Sequence, residues 1–142
     1  MKTLVKIIPF ILVLVLLGCQ KESKSTSKNL ISTKWYLQGI QFTDTQTENL
    51  VPENLVGMNI VFSDSNRLHA ISSCNVFDGN FITSGSNLIN VDAGTTKIYC
   101  TDFNKRLWDS LFYHNLNNSN KYDLKNGILS IQTTKNTVLI FK

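Results

Sequence analysis

Two cysteines, Cys74 and Cys100, are the side chains in this sequence best suited to chemistry. Each sits in a distinctive run, Ser72-Ser73-Cys74-Asn75-Val76-Phe77-Asp78-Gly79 and Gly94-Thr95-Thr96-Lys97-Ile98-Tyr99-Cys100. A thiolate beside a base is a nucleophile, and two thiols with two further ligands can hold zinc. The bases and ligands on offer are His69 and His114. His69 alternates against Leu68 and Ala70, so it is expected to face solvent. His114 lies three residues from Leu111, at the border of a helical apolar stripe. No spacing joins either histidine to a cysteine, so neither a Cys–His dyad nor a metal site is expected. The carboxylates Asp64, Asp78, Asp92, Asp102, Asp109 and Asp123 are expected mostly at turns or helix ends, where capping and solvation explain them, and none has calcium-loop spacing. There is no phosphate-cradling glycine loop and no serine-nucleophile elbow. No catalytic set and no cofactor site emerge, and the chain is read as non-enzymatic.

The compartment decides what the two thiols do, and the N-terminus speaks to it. Lys2 and Lys6 precede an apolar run, Ile7 to Leu17, broken only by Pro9. About eleven apolar residues are too few to span a bilayer, which takes roughly 20, but they suit a secretory signal over residues 1–18. The ending Leu16-Leu17-Gly18-Cys19 resembles the lipobox of bacterial lipoproteins, in which the cysteine is lipidated and becomes the new N-terminus. Cys19 is therefore the expected lipidation site, and the membrane a partner through its diacylglycerol and acyl chains. The alternative is an ordinary signal peptide with a chance cysteine, or an uncleaved anchor. Residues 20–29 (Gln-Lys-Glu-Ser-Lys-Ser-Thr-Ser-Lys-Asn) contain no apolar residue and read as a spacer between anchor and domain. The expected location is the bacterial cell envelope, on the periplasmic or surface face of the outer membrane.

The formal charge of the 142 residues is +4, but Lys2 and Lys6 belong to the leader; twelve basic against ten acidic residues leave +2 from Cys19 onward. These charges are scattered rather than gathered into a stripe, which argues against nucleic acid as a partner. Residues 30–142 have room for one domain.

The elements that must position the cysteines are mostly strands. Trp35 and Leu37 alternate with polar neighbours, and Ile40 and Phe42 continue beyond Gly39, where a bulge is expected. Residues 43–54 read as a surface loop. Met58, Ile60 and Phe62, the turn Asp64-Ser65-Asn66, then Leu68 and Ala70 form a hairpin. Ser84-Gly85-Ser86-Asn87 marks a second turn, and Asn126-Gly127 the clearest one. Thr101 or Asp102 caps a helix of about fifteen residues, with Phe103, Leu107, Trp108, Leu111, Phe112 and Leu116 as its apolar stripe. The expected fold is mainly β: seven or eight short strands in a curled, barrel-like, largely antiparallel sheet around one amphipathic helix.

Trp35-Tyr36-Leu37, Cys74-Asn75-Val76-Phe77-Asp78-Gly79, Thr96-Lys97-Ile98-Tyr99-Cys100 and the closing Leu139-Ile140-Phe141 occur in that order. Together they resemble the META domain, or HslJ-like, family, across about Leu30 to Lys142. The departure at Ile98, where that family often has methionine, is conservative. The resemblance implies a small β-rich, barrel-like domain with one helix, usually in envelope proteins, and it implies no reaction. Trp35, Leu37, Asn75, Phe77, Gly79 and Thr96 are its motif residues, and they read as structural. Asn75 and Gly79 suit a shaped corner, since Asn bonds its own neighbours and Gly tolerates positive φ; Phe77 is the plug beneath it.

If the chain is exported, Cys74 and Cys100 can bridge, closing a loop of about 25 residues worth roughly 2–4 kcal/mol. Two buried thiols acting as small hydrophobes are the alternative. The functional expectation is a lipid-anchored envelope protein that binds or scaffolds an envelope protein or small ligand, in stress tolerance or envelope maintenance. The competing expectation is a small-ligand binder using a cavity inside the sheet, lined by Trp35, Phe62, Phe77, Phe81, Trp108 and Phe112.

Overall fold

A computed structural model describes residues 29–142, apart from residue 86. The leader, Cys19 and most of the spacer lie outside the described residues. The strands are β1 (Lys34–Phe42), β2 (Thr47–Leu50), β3 (Asn59–Phe62), β4 (Arg67–Ile71), β5 (Val76–Ser84) and β6 (Leu88–Thr95); then come α1 (Phe103–Asn117), β7 (Ser119–Lys125), β8 (Ile128–Thr133) and β9 (Thr137–Phe141).

All strand pairings are antiparallel, and the order β1-β3-β4-β5-β6-β7-β8-β9 returns to β1 through the β1–β9 pairing. Eight strands therefore close a barrel, and closure leaves no continuous open edge. The fold class is mainly β, with one more strand than expected: β2 falls inside the anticipated 43–54 loop and pairs with the second half of β1. All four of its residues are exposed, so no period-two pattern announces it. The β1–β9 register shifts between Leu37 and Gly39. A side chain on Gly39 would meet the Asn49 carbonyl at 2.9 Å, so the missing Cβ lets β2 approach.

Turn chemistry follows the sequence. Asn66, Asn87, Asn126 and Asn136 all have positive φ, a region Asn tolerates better than most residues. Asn126 (φ 54°) and Gly127 (φ 75°) together turn β7 into β8.

Inward side chains fill the barrel. Trp35, Ile40, Ile60, Phe62, Phe77, Leu129, Ile131 and Phe141 are buried without measurable exposure. The Phe62 and Phe81 rings meet edge to face at 4.9 Å, a favoured aromatic geometry. Helix α1 packs on β6, β8 and β9 and brings Phe112 to 5.5 Å from Phe77. Its buried face is Trp108, Phe112, Asn115 and Leu116, at the i, i+4, i+7, i+8 spacing of a helix face. The expected stripe is wider: Phe103 and Leu107 are instead 66% and 43% exposed, because at 3.6 residues per turn both point well away from that buried face. Asp102 caps the helix by accepting from the Lys105 N–H at 3.0 Å.

Candidate functional site

The two cysteine runs meet at one rim of the barrel. The first forms the β4–β5 corner and the second follows β6, and Phe77 pairs with Thr95 across β5–β6. Cys74 and Cys100 are joined by a disulfide, with Cα atoms 6.1 Å apart. That separation is ordinary for a bridge, and bonding both sulfurs removes the thiolate a Cys–His dyad would need.

Asn75, 7% exposed, ties three segments together. Its backbone N–H donates to Asp109 Oδ1 at 2.9 Å and its side-chain amide to Asp109 Oδ2 at 2.8 Å. Its Oδ1 accepts from Thr96 Oγ1 at 2.9 Å and from the Ile98 N–H at 2.8 Å. The Ser72 hydroxyl also donates to Asp109, and the Val76 N–H donates to Thr96 Oγ1 at 3.1 Å. Both lone pairs of the Asn75 carbonyl are thus engaged. Bonds this complete across three segments leave little of Asn75 to offer a ligand. Asn75 does more than bond its own neighbours at the corner, where its backbone carbonyl accepts from the Ser72 N–H at 2.9 Å and its N–H lies 3.4 Å from Ser72 Oγ. It reaches 34 positions along the chain to the helix.

Gly79 also departs from its expected role. It lies in β5 opposite Ala93 and does not adopt positive φ. A Cβ there would meet the Asp92 carbonyl at 2.1 Å and Ala93 Cα at 2.5 Å, so glycine is needed for close strand approach. Phe77, with no measurable exposure, is the plug beneath the corner. Trp35 and Leu37 are core residues on β1, and the Trp35 indole N–H donates to the Leu30 carbonyl at 3.2 Å.

Sequence reasoning missed the polar pins of α1. Asp109, expected among the turn and helix-end carboxylates, sits in mid-helix and holds the corner. Asp78, Asp92 and Asp123 likewise lie within strands. Asn115 accepts a hydrogen bond from Thr137 Oγ1. Asn117 accepts from the Ala93 N–H at 2.8 Å and donates to the Ala93 carbonyl at 3.3 Å. Its amide therefore takes the place of a neighbouring strand where β6 and β7 share only the Leu88–Lys121 pair. The readable signal was Asn115, an amide on the buried face of the helix.

His69 is exposed and its Nδ1 lies 2.8 Å from Asp78 Oδ1; it is remote in role from the disulfide. His114 is exposed on α1. Among the described residues no group of three or more His, Cys, Asp or Glu side chains could hold a metal. Two clefts of about 490 Å³ each lie outside the packed interior. One is lined by Ile82, Leu88, Asn90 and Asn118 near the β6–β7 seam. The other lies between β2 (Glu48, Leu50) and α1 (Leu107, Leu111).

A closed eight-stranded antiparallel barrel, stoppered at one rim by a single helix that is pinned through polar side chains, defines the structural class. Solved structures with a similar fold include the following two. One is the NMR structure of a protein from Burkholderia xenovorans, 16% identical, with TM-score 0.64, covering 80% of this chain and 82% of that one. The other is the crystal structure of a DUF4847 family protein from Bacteroides vulgatus, 16% identical, with TM-score 0.61, covering 82% of this chain and 95% of that one. Likeness at this identity concerns the fold. No curated protein matches. The sequence profile of the META domain matches residues 28–142, and the chain belongs to the META domain family.

Proposed function

We propose that this protein is a non-enzymatic, lipid-anchored component of the bacterial envelope that acts by binding or scaffolding through its exterior, in envelope maintenance or stress tolerance. The observation that carries this reading is the filled barrel. Five of the six aromatic side chains available to line an interior ligand site, Trp35, Phe62, Phe77, Phe81 and Phe112, are at most 2% exposed, and Trp108 is 7% exposed. The cysteine junction spends its hydrogen-bonding capacity internally, which leaves structure as its role. Membership of the META domain family supports an envelope association. The lipobox-like Leu16-Leu17-Gly18-Cys19 supports the anchor.

Fractionation of cells expressing the full chain tests the anchor. The protein is expected in the membrane fraction, released by detergent and not by salt, and labelled by radioactive palmitate. Cys19→Ser should lose the label and leave the membrane. Retention of the unlabelled variant in the membrane would overturn the reading.

A further inference from the structure

Ile98, Tyr99, Phe103 and Leu107 stand 61%, 78%, 66% and 43% exposed within one short stretch of chain. Contiguous exposed apolar side chains of this size mark an interaction surface. This one is held in shape. Cys100 is bonded to Cys74, and the Ile98 N–H donates to Asn75. The Arg106 guanidinium lies 5.6 Å from the Tyr99 ring centre and 5.9 Å from that of Phe103. Its Nη1 donates to the Tyr99 hydroxyl at 3.3 Å and to the Cys100 carbonyl at 3.1 Å. Around the apolar centre stand the exposed cations Lys97, Lys105 and Arg106. The sole carboxylate between residues 96 and 107 is Asp102, which is occupied capping α1.

We propose that this face docks the barrel onto an anionic bilayer surface, with Tyr99, Phe103, Leu107 and Ile98 at headgroup depth and the three cations against lipid phosphates. Amphipathic aromatic rings and a cationic rim are the side chains that favour the membrane interface. The geometry of the N-terminus supports this occupant, and this part of the argument rests on the anchored reading of Cys19. Ile31 bridges to Phe62, so the chain enters at the β3–β4 turn, the end of the barrel opposite the cysteine corner. Residues 19–29 can extend at most about 40 Å, and a nine-residue strand such as β1 measures about 30 Å. The spacer is long enough for the barrel to lie on its side, with tether and patch on one membrane. Tethering then raises the local concentration of the patch at the lipid surface, so a weak contact suffices.

The test uses the full chain as purified from cells, added to phosphatidylglycerol–phosphatidylethanolamine vesicles containing brominated lipid. Flotation in high salt reports the anchor, and quenching of an introduced tryptophan reports the patch. Emission from Phe103→Trp, relative to the parent, should fall by about half, as expected of a ring about 5–10 Å into the headgroup boundary. Emission from Ile82→Trp, at an exposed site elsewhere, should not fall. The quenching at position 103 should vanish in phosphatidylcholine vesicles and in the triple variant K97Q, K105Q and R106Q. Absent quenching at position 103, equal quenching at both sites, or indifference to lipid charge overturns the proposal. So does a photo-crosslinker at position 103 that captures a protein in intact cells. The two failures read differently: flotation without quenching at position 103 overturns the patch alone, and a chain that fails to float overturns the anchored reading on which the patch rests.

Discussion

Asn75→Ala removes the side chain on which three segments converge. The Ile98 N–H and Thr96 Oγ1 lose their acceptor, and Asp109 Oδ2 loses its amide donor. A hydrogen bond to a charged group contributes about 1.5–3 kcal/mol and a neutral one about 1 kcal/mol, with groups left unmet in a buried setting at the upper end. Together these give a loss of about 3–5 kcal/mol. In a domain of this size that lowers Tm by roughly 10–20 °C. Urea unfolding of the purified domain, followed by tryptophan fluorescence, measures the loss. The same experiment on Asp109→Ala and on the double variant completes a cycle. Residues sharing one network should couple by at least about 1 kcal/mol. A loss below about 1 kcal/mol for Asn75→Ala, or additivity in the cycle, would refute the view that this contact latches helix to corner.

Two further substitutions or treatments probe the same rim. Gly79→Ala forces a Cβ against the Asp92 carbonyl and Ala93 Cα; overpacking of this kind costs about 1–3 kcal/mol or more, and should appear in thermal unfolding as a lower Tm or an insoluble product. Reducing the Cys74–Cys100 bridge opens a loop spanning 26 positions and should lower stability by about 3 kcal/mol; alkylation under non-reducing conditions followed by mass spectrometry should find neither cysteine labelled.

Much of the barrel could be read because its signals are local. Alternation in β1, β3 and β4 follows from one face being buried, and Asn-Gly at 126–127 follows from the positive φ its turn demands. Helix α1 was legible from its spacing and from Asp102. What escaped was whatever depends on a partner distant in sequence. Asp109 and Asn75 are individually unremarkable, since an acidic residue in a helix is usually solvated. Only folding brings them together. Gly79 has the same character: its need for a bare Cα comes from β6, not from its own backbone. Strand β2 escaped because exposure on every residue leaves no hydrophobic rhythm, and Phe103 and Leu107 fit a helical spacing wider than the face that the barrel buries.

The closure of the barrel has a kinetic consequence. Leu37 of the first strand pairs with Phe141 of the last, and Tyr36 and Lys142 exchange backbone hydrogen bonds of 3.0 and 2.9 Å. No earlier strand supplies that partner, so β1 keeps a bare edge until β9 pairs with it. Pairings this remote along the chain are reached late and slowly, because their loop-closure entropy must be met before the contact forms. A chain without β9 therefore cannot close the barrel, and the uncovered edge of β1 is then a template for pairing with another chain.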